Sequence, residues 1–395
     1  MPHGGRVIGS VATADAASTA VCRSCGAPSP PLVLDLGPVP ASDQFPPVDA
    51  PEPDPAWPLT LHACKECGLV QLGPGRGAHP EPQAAVDSVT ALEHAAASVA
   101  AVVRDERLVT GQTVIELDSA HGASWLPRFV EAGLVEVGPD GRADLVVDVH
   151  HLMHEEDIDA VIAGHAARLA DGGRLVCEFF HLLPLVRDTL VDTIRHGHFV
   201  YLSLLAAGPL FERNGMTITR AAMVDVYGGS LRVTAARTAD APVVDKTVQE
   251  IRSEERAAGL DRLDSLEALG ERGSRVAQDF RTHLEGLAQQ GRRVAGYGAP
   301  SKAAVLLALS RVDQTLLPYT VDLSPAKDGC RVPGAGVPIH SVQHLLADRP
   351  DDVVILTWDI ADEVVAQLQR MSVDTGWAPR LHVPLPVARE LSLAD

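Results

Sequence analysis

Two CxxC pairs, Cys22/Cys25 and Cys64/Cys67, separated by 38 residues, stand in a chain that has only two other cysteines, Cys177 and Cys330. Short knuckles of this kind converge as thiolates on one tetrahedral ion, and four sulfur ligands leave no coordination position open for chemistry. The spacing therefore predicts a structural zinc in a small module over residues 21–75. A catalytic dithiol is the competing reading of a CxxC, and the occurrence of two pairs together disfavours it. Between the pairs runs PVPASDQFPPVDAPEPDPAWP, whose prolines exclude regular helix, so the module is expected to consist of short strands. Met1–Ala20 is rich in Gly, Ala and Ser, lacks the basic and apolar blocks of a signal peptide, and reads as a disordered N-terminus.

The remaining chain alternates strands and helices. With 395 residues, 46% of them hydrophobic, it has material for two or three domains with cores. A formal net charge of −19 argues against nucleic acid or anionic membrane as a bulk electrostatic partner. No apolar run approaches the roughly 20 residues of a membrane-spanning helix. The expectation is a soluble cytoplasmic protein acting on a small molecule.

Residues 76–240 read as a helix near Gln83–Arg107, the strand-turn-helix VIELDSAHGASWL (Val114–Leu126), a strand at Ala143–Val149 and a helix at Asp157–Ala170. DGGRLVCEF then gives a turn and buried strand, and VYGGSLRVTAAR a glycine-opened strand. The strand-turn-helix has the outline of a nucleoside-cofactor site, yet Asp118 stands where the backbone normally approaches the ligand, and only Gly122 is left of the expected glycines. About ten residues separate this helix from the next strand, against roughly 30 for a complete βαβ unit. A strand and a helix are expected to be missing, and with them the acid that binds ribose hydroxyls. Glu136, Asp140 and Asp148 are the substitutes on offer, none in the usual place.

Residues 241–395 read as a second Rossmann-like domain behind a long amphipathic helical segment, Asp245–Gly291, with a break expected at Gly270–Gly273. In GYGAPSK, Gly296, Gly298 and Ala299 form the turn after the first strand, and Lys302 at the helix start suits a phosphate. The turn alone is weak evidence for NAD.

Several stretches converge on one family. CRSCGAP, LDLGPVPASDQF and CKECGLVQL resemble the zinc-binding head of the deoxysugar C-methyltransferases of antibiotic pathways. VYGGSLRV resembles their HGGSLRV strand, and GYGAPSKAAVLL, TVDLSPAKDGCRVPGAGVPI and DDVVILTWD resemble their C-terminal domain, so the likeness runs from Val21 to the end. It implies an α/β fold of three parts: a zinc-binding module, a truncated Rossmann-like methyltransferase domain, and a Rossmann-like C-terminal domain. It also implies a nucleotide-linked 4-keto sugar as substrate, a histidine that removes the proton alpha to the ketone, and S-adenosylmethionine (SAM) as methyl donor.

The segment IRHGHFVYLSL (Ile194–Leu204) matches the family's IYHEHxxYFSL, keeping both histidines but placing Arg195 for tyrosine and Gly197 for glutamate. Tyr227 replaces the histidine of HGGS, and ELDSAHG (Glu116–Gly122) replaces EIGxNDG. The resemblance nominates His198 as base, with His196 beside it and Arg195 holding an enolate or a phosphate. Tyr201, Tyr227, Arg232, Tyr297 and Lys302 are the candidate substrate contacts, and Glu116 and Gly122 the cofactor contacts. The histidines of VDVHHLMHEED invite a metal reading, but His154 matches a histidine common in family helices and reads as structural. With the SAM site altered and His198 kept, the sequence points to SAM-independent enolate chemistry: isomerisation, epimerisation, elimination or cyclisation. A working SAM-dependent C-methyltransferase and a non-catalytic partner protein are the alternatives.

Overall fold

The computed structural model describes residues 21–74, 87–117, 123–138, 140–240 and 242–391. Met1–Ala20, Asp118 and Gly122, singled out above, lie outside them. In the head, β1 (Leu32–Pro40), β2 (Ala56–Ala63) and β3 (Val70–Leu72) form an antiparallel sheet. The prolines between β1 and β2 lie in irregular chain, Pro47 in an isolated bridge to Cys330, consistent with their missing donors.

The middle domain opens with α1 (Val89–Asp105), whose N-terminus is capped by the Ser88 side chain. Then follow β4 (Thr113–Glu116), α2 (Leu126–Glu131), β5 (Val135–Glu136), β6 (Ala143–Val149), α3 (Ile158–Ala167) and β7 (Leu169–Phe180). The chain continues through α4 (Leu182–Arg187), β8 (Val200–Tyr201), α5 (Leu204–Arg213), β9 (Met216–Val224) and β10 (Ser230–Arg237). The sheet order is β5-β4-β6-β7-β10-β9, parallel from β5 to β7 and antiparallel beyond. β6 is almost wholly buried because helices cover both its faces. The strand expected to be missing survives as a stub: α2 has six residues, and the two of β5 pair with Thr113 and Val114 before the chain turns away. Because β5 and β6 flank β4 on opposite sides, the sheet's switch point lies at the carboxyl ends of β4 and β6.

β8 leaves this sheet and pairs with β3, becoming the fourth strand of the head. The segment between α4 and α5 is therefore stitched into the zinc-binding module.

The C-terminal domain is led by α6 (Lys246–Ala257) and α7 (Leu263–Gln289). The break falls around Gly259, at φ 77, and not at Gly270–Gly273. Gly273 serves packing instead: a Cβ there would lie 2.7 Å from Val191 Cγ1, so the glycine lets α7 close onto the middle domain. Then come β11 (Val294–Tyr297), α8 (Ser301–Ser310), β12 (Thr320–Asp322), β13 (Ile339–Ser341), α9 (Val342–Asp348), β14 (Asp352–Ile355), α10 (Ala361–Thr375), β15 (Arg380–Val383) and β16 (Arg389–Glu390). Their order, β13-β12-β11-β14-β15-β16, is parallel except for β16, the doubly wound arrangement expected. Leu61 of the head, Leu183, Leu269 of α7 and Val305 of α8 share one core, so the three parts pack on each other directly. Among the described residues no helix is long and apolar enough to cross a membrane.

Candidate functional site

The two CxxC loops are built alike. In each, the glycine after the second cysteine donates its N–H to the first cysteine's carbonyl (Gly26 to Cys22, Gly68 to Cys64), and both glycines have positive φ, 71 and 75. The four sulfurs lie within 4.8 Å of one another, with Cys22–Cys67 at 3.5 Å and Cys25–Cys64 at 3.6 Å. A tetrahedral site with Zn–S bonds of about 2.3 Å has edges of about 3.8 Å, so the set fits zinc. A hydrogen bond from the Cys67 thiol holds Cys22 down to about 5, whereas that same bond pushes Cys67 up and burial raises Cys64. Arg23 lies over the Phe199 ring, and Arg213 of α5 donates to Ser24, tying the knuckle to the middle domain.

The segment carrying the paired histidines crosses from the 3-10 turn Val191–Thr193 to β8, and Gly197, at φ 92, turns the two imidazoles toward different neighbours. His196 faces the head, with Nε2 3.3 Å from the Pro58 carbonyl and its ring edge-on to Trp57. His198 faces the middle domain, its ring 4.9 Å from His154, 5.5 Å from Phe180 and 6.4 Å from Tyr201. His154 Nδ1 is 3.1 Å from the Gly197 carbonyl, which only accepts, so His154 donates there and braces the turn that carries His198. Arg195, expected to face an enolate or a phosphate, instead puts Nη1 2.8 Å from Asp43 of the head in a buried ion pair. Its backbone N–H donates to the Tyr201 hydroxyl, whose pKa burial pushes up.

Beside this segment lies a small cleft, with Phe180, Thr193, Tyr201, Tyr227 and Gly228 in its walls. Tyr227 and Tyr201 thus reach the same cavity. Arg232 is turned the other way, 3.8 Å from Glu178, and loss of water there lowers its pKa. Tyr297 is committed to Gln367, donating at 2.6 Å. Lys302 ion-pairs with Asp359 and sits 4.4 Å over the Trp358 ring. The Trp358 indole in turn donates at 2.7 Å to Asp192, and burial raises that carboxyl to about 6. The glycine turn of the C-terminal domain is closed by its own residues: Asp322 accepts from the Ala299 N–H and Lys327 donates to the Ala299 carbonyl.

At the switch point the candidate acids are largely occupied. Glu116 accepts from the Trp125 and Leu126 N–H groups and from the Ser124 hydroxyl, capping α2 rather than facing a cofactor. Asp148 accepts from His165 at 2.7 Å and from two backbone N–H groups; burial alone would raise its pKa, but these partners outweigh it and lower the pKa. Glu136 ends β5 and is exposed.

Sequence reasoning missed a cluster over these strand ends. Glu178 of β7 is buried, with Oε1 2.5 Å from His94 Nε2 of α1 and 3.4 Å from His150 Nε2. Burial by itself would raise Glu178, but the hydrogen bonds and charges of His150 and His94 prevail and bring it to about 2. His94 and Glu178 are 84 residues apart, and no local pattern joins them.

Comparison with known proteins agrees with this layout. Residues 22–74 match a family profile described as a zinc binding domain, and residues 225–386 match the C-methyltransferase C-terminal domain. C-methyltransferase NovU of Streptomyces niveus is 29% identical over 94% of this chain and 96% of its own length. Among solved structures, magnesium protoporphyrin IX methyltransferase (ChlM) from Synechocystis PCC 6803 with bound S-adenosylhomocysteine (SAH) has 17% identity and a TM-score of 0.28, covering 38% of this chain and 84% of that one. N-methyltransferase NodS from Bradyrhizobium japonicum WM9 has 12% identity and a TM-score of 0.29, covering 37% and 87%. Head and C-terminal sheet thus each match a family profile, and along 94% of its length the chain is similar to a C-methyltransferase.

Proposed function

We propose that the chain is a C-methyltransferase of natural-product biosynthesis that removes the proton alpha to the ketone of a nucleotide-linked 4-keto deoxysugar and methylates that carbon. The observation that carries this reading is the relation to a C-methyltransferase along 94% of the chain; it favours methylation over the cofactor-independent chemistry expected from the sequence. His198 is the base: a neutral imidazole takes a proton near pH 7, and this one is held beside the cleft by Phe180, Tyr201 and the turn that His154 braces. The zinc is structural, since four thiolates complete its coordination.

SAM, when bound, supplies the methyl group. Glu136 fits the ribose end of such a cofactor, because it closes the strand beside β4 where sheets of this kind hold ribose hydroxyls, and its carboxylate is exposed.

One observation favours a second reading. Glu116 and Asp148 are both satisfied within the protein, which supports an enzyme that keeps deprotonation by His198 and follows it with isomerisation, epimerisation, elimination or ring closure. Calorimetric titration with SAM and with SAH separates the two. Micromolar binding supports methylation, and absence of binding up to millimolar concentration transfers the assignment to SAM-independent enolate chemistry. Under either reading His198→Asn abolishes turnover, and retained activity would refute the base assignment.

A further inference from the structure

We propose that Tyr227 is the hydrogen-bond donor to the reacting ketone oxygen, and that the buried His94–Glu178–His150 cluster holds it in that role. The assignment rests on the keto-substrate reading above.

The backbone points to it first. Tyr227, Gly228 and Gly229 follow one another at φ 54, 85 and 114, and His150 stands at φ 56. A bulky side chain in the left-handed region is an outlier that persists only where its surroundings over-determine it, and such outliers concentrate at functional sites. Here the two outliers face each other, their rings 5.6 Å apart and nearly perpendicular. The turn is pinned from two sides: a Cβ at Gly228 would lie 2.8 Å from the Trp358 ring, and one at Gly229 2.5 Å from Pro184.

Behind Tyr227 the cluster draws on three separate parts of the middle domain. The His94 ring is 6.4 Å and the Phe180 ring 6.3 Å from that of Tyr227. His150 is anchored twice to one residue, through its backbone N–H to the Glu178 carbonyl at 2.7 Å and through Nε2 to the carboxylate. An apolar core would fill this space without the cost of burying a carboxylate, so the charged cluster calls for a reason beyond packing.

The chemistry follows from Tyr227 staying protonated. Burial raises its phenol, and the carboxylates of Asp359 and Glu178 act in the same direction, so at neutral pH it is a donor and not a base. When His198 takes the alpha proton, the C–H electron pair enters the enolate and negative charge gathers on the former ketone oxygen. Tyr227 then offers its O–H to that oxygen without giving up the proton. A donor fixed in place beforehand stabilises charge that develops only in the transition state. His198 and Tyr227 both pack on Phe180, which itself lines the cleft that Tyr227 reaches, so base and donor flank one wall of it. His94, His150 and Glu178 are positioning residues.

The test is solvent-deuterium wash-in at the alpha carbon of thymidine-diphospho-4-keto-6-deoxyglucose, followed by NMR, which needs no methyl donor. Tyr227→Phe keeps the ring and removes the donor; kcat should fall about 100-fold with KM little changed. Tyr227→His restores a donor with a residue that tolerates positive φ, and should recover most of the rate. Glu178→Gln should lower kcat with the donor still present; His94→Gln, at the cluster's outer edge, replaces it if that variant does not fold. Wild-type kcat in Tyr227→Phe, or a loss confined to KM, would overturn the donor assignment. Unchanged kcat in Glu178→Gln or His94→Gln would overturn the supporting role. A wild-type protein that exchanges no alpha proton overturns the keto-sugar reading and this assignment together, a result distinct from an active wild type with unaffected variants.

Discussion

Arg195→Ala removes one partner of an ion pair that joins the histidine segment to the zinc-binding head. The side chains of Arg195 and Asp43 are 5% and 2% exposed, and the contact is 2.8 Å. A solvated pair at this distance contributes about 0.2–1 kcal/mol. A buried one behaves differently, because the remaining carboxylate is stranded away from water, and losing its partner costs about 3–5 kcal/mol. That corresponds to a fall of two to nearly four powers of ten in the folded-to-unfolded ratio. The Arg195 backbone N–H to the Tyr201 hydroxyl is untouched by the substitution, so the loss belongs to the guanidinium. In the double variant with Asp43→Ala the stranded charge is gone, and the combined cost should be clearly smaller than the sum of the single costs. Urea unfolding of the four proteins of the cycle, read by tryptophan fluorescence and by zinc release to a colorimetric chelator, measures both quantities. The loss should also be nearly independent of salt, since buried charges are weakly screened. A single-variant loss below about 1 kcal/mol, or single costs that simply add, would show that water reaches the pair and would refute the reasoning.

Two further outcomes are expected. Cys64→Ser should release one zinc per chain and lower the unfolding temperature, and a metal-free protein of equal stability would contradict the structural role. Asp192 is raised by burial from 3.8 to about 6 against the opposing pull of Lys302 and the Trp358 indole. Its folded-state pKa being the higher, it contributes stability below pH 3.8 that is lost as pH rises through about 6. Asp192→Asn, which still accepts from Trp358, should therefore gain on the wild type between pH 4 and pH 7 in paired denaturant titrations, and a constant difference would show that Asp192 does not titrate there.

What the sequence disclosed depended on how far apart the cooperating residues lie. The knuckles were legible because ligand spacing is local, and β6, β7 and the C-terminal strands because buried parallel strands read as apolar runs. β5 escaped notice because two residues carry no periodicity. The break in the leading helix was misplaced because Gly273 answers to Val191, a neighbour in space, while the true stop at Gly259 looked like any other glycine in a charged stretch. The cleft tyrosines were found through the family motif. The commitments of Arg195 to Asp43, Tyr297 to Gln367 and Lys302 to Asp359 were not, since the partners lie far apart in the sequence and a motif does not say which distant segment its residues meet. His94, His150 and Glu178 come from a helix, a strand end and a neighbouring strand, and only the sheet order brings them together.

β8 pairs with β3, so the strand that follows the two histidines is a strand of the metal-binding sheet. Anyone exchanging parts between relatives to change their chemistry should accordingly take residues 21–74 and 194–204 from the same parent. A chimera cut at the apparent border of the head would inherit its Asp43, Pro58 and Val70 from one ancestor and the Arg195, His196 and Tyr201 that meet them from another. Viable crossovers are expected to keep α6 with the middle domain as well, because its buried Glu255 accepts from the Leu204 and Leu205 N–H groups and pairs with His181.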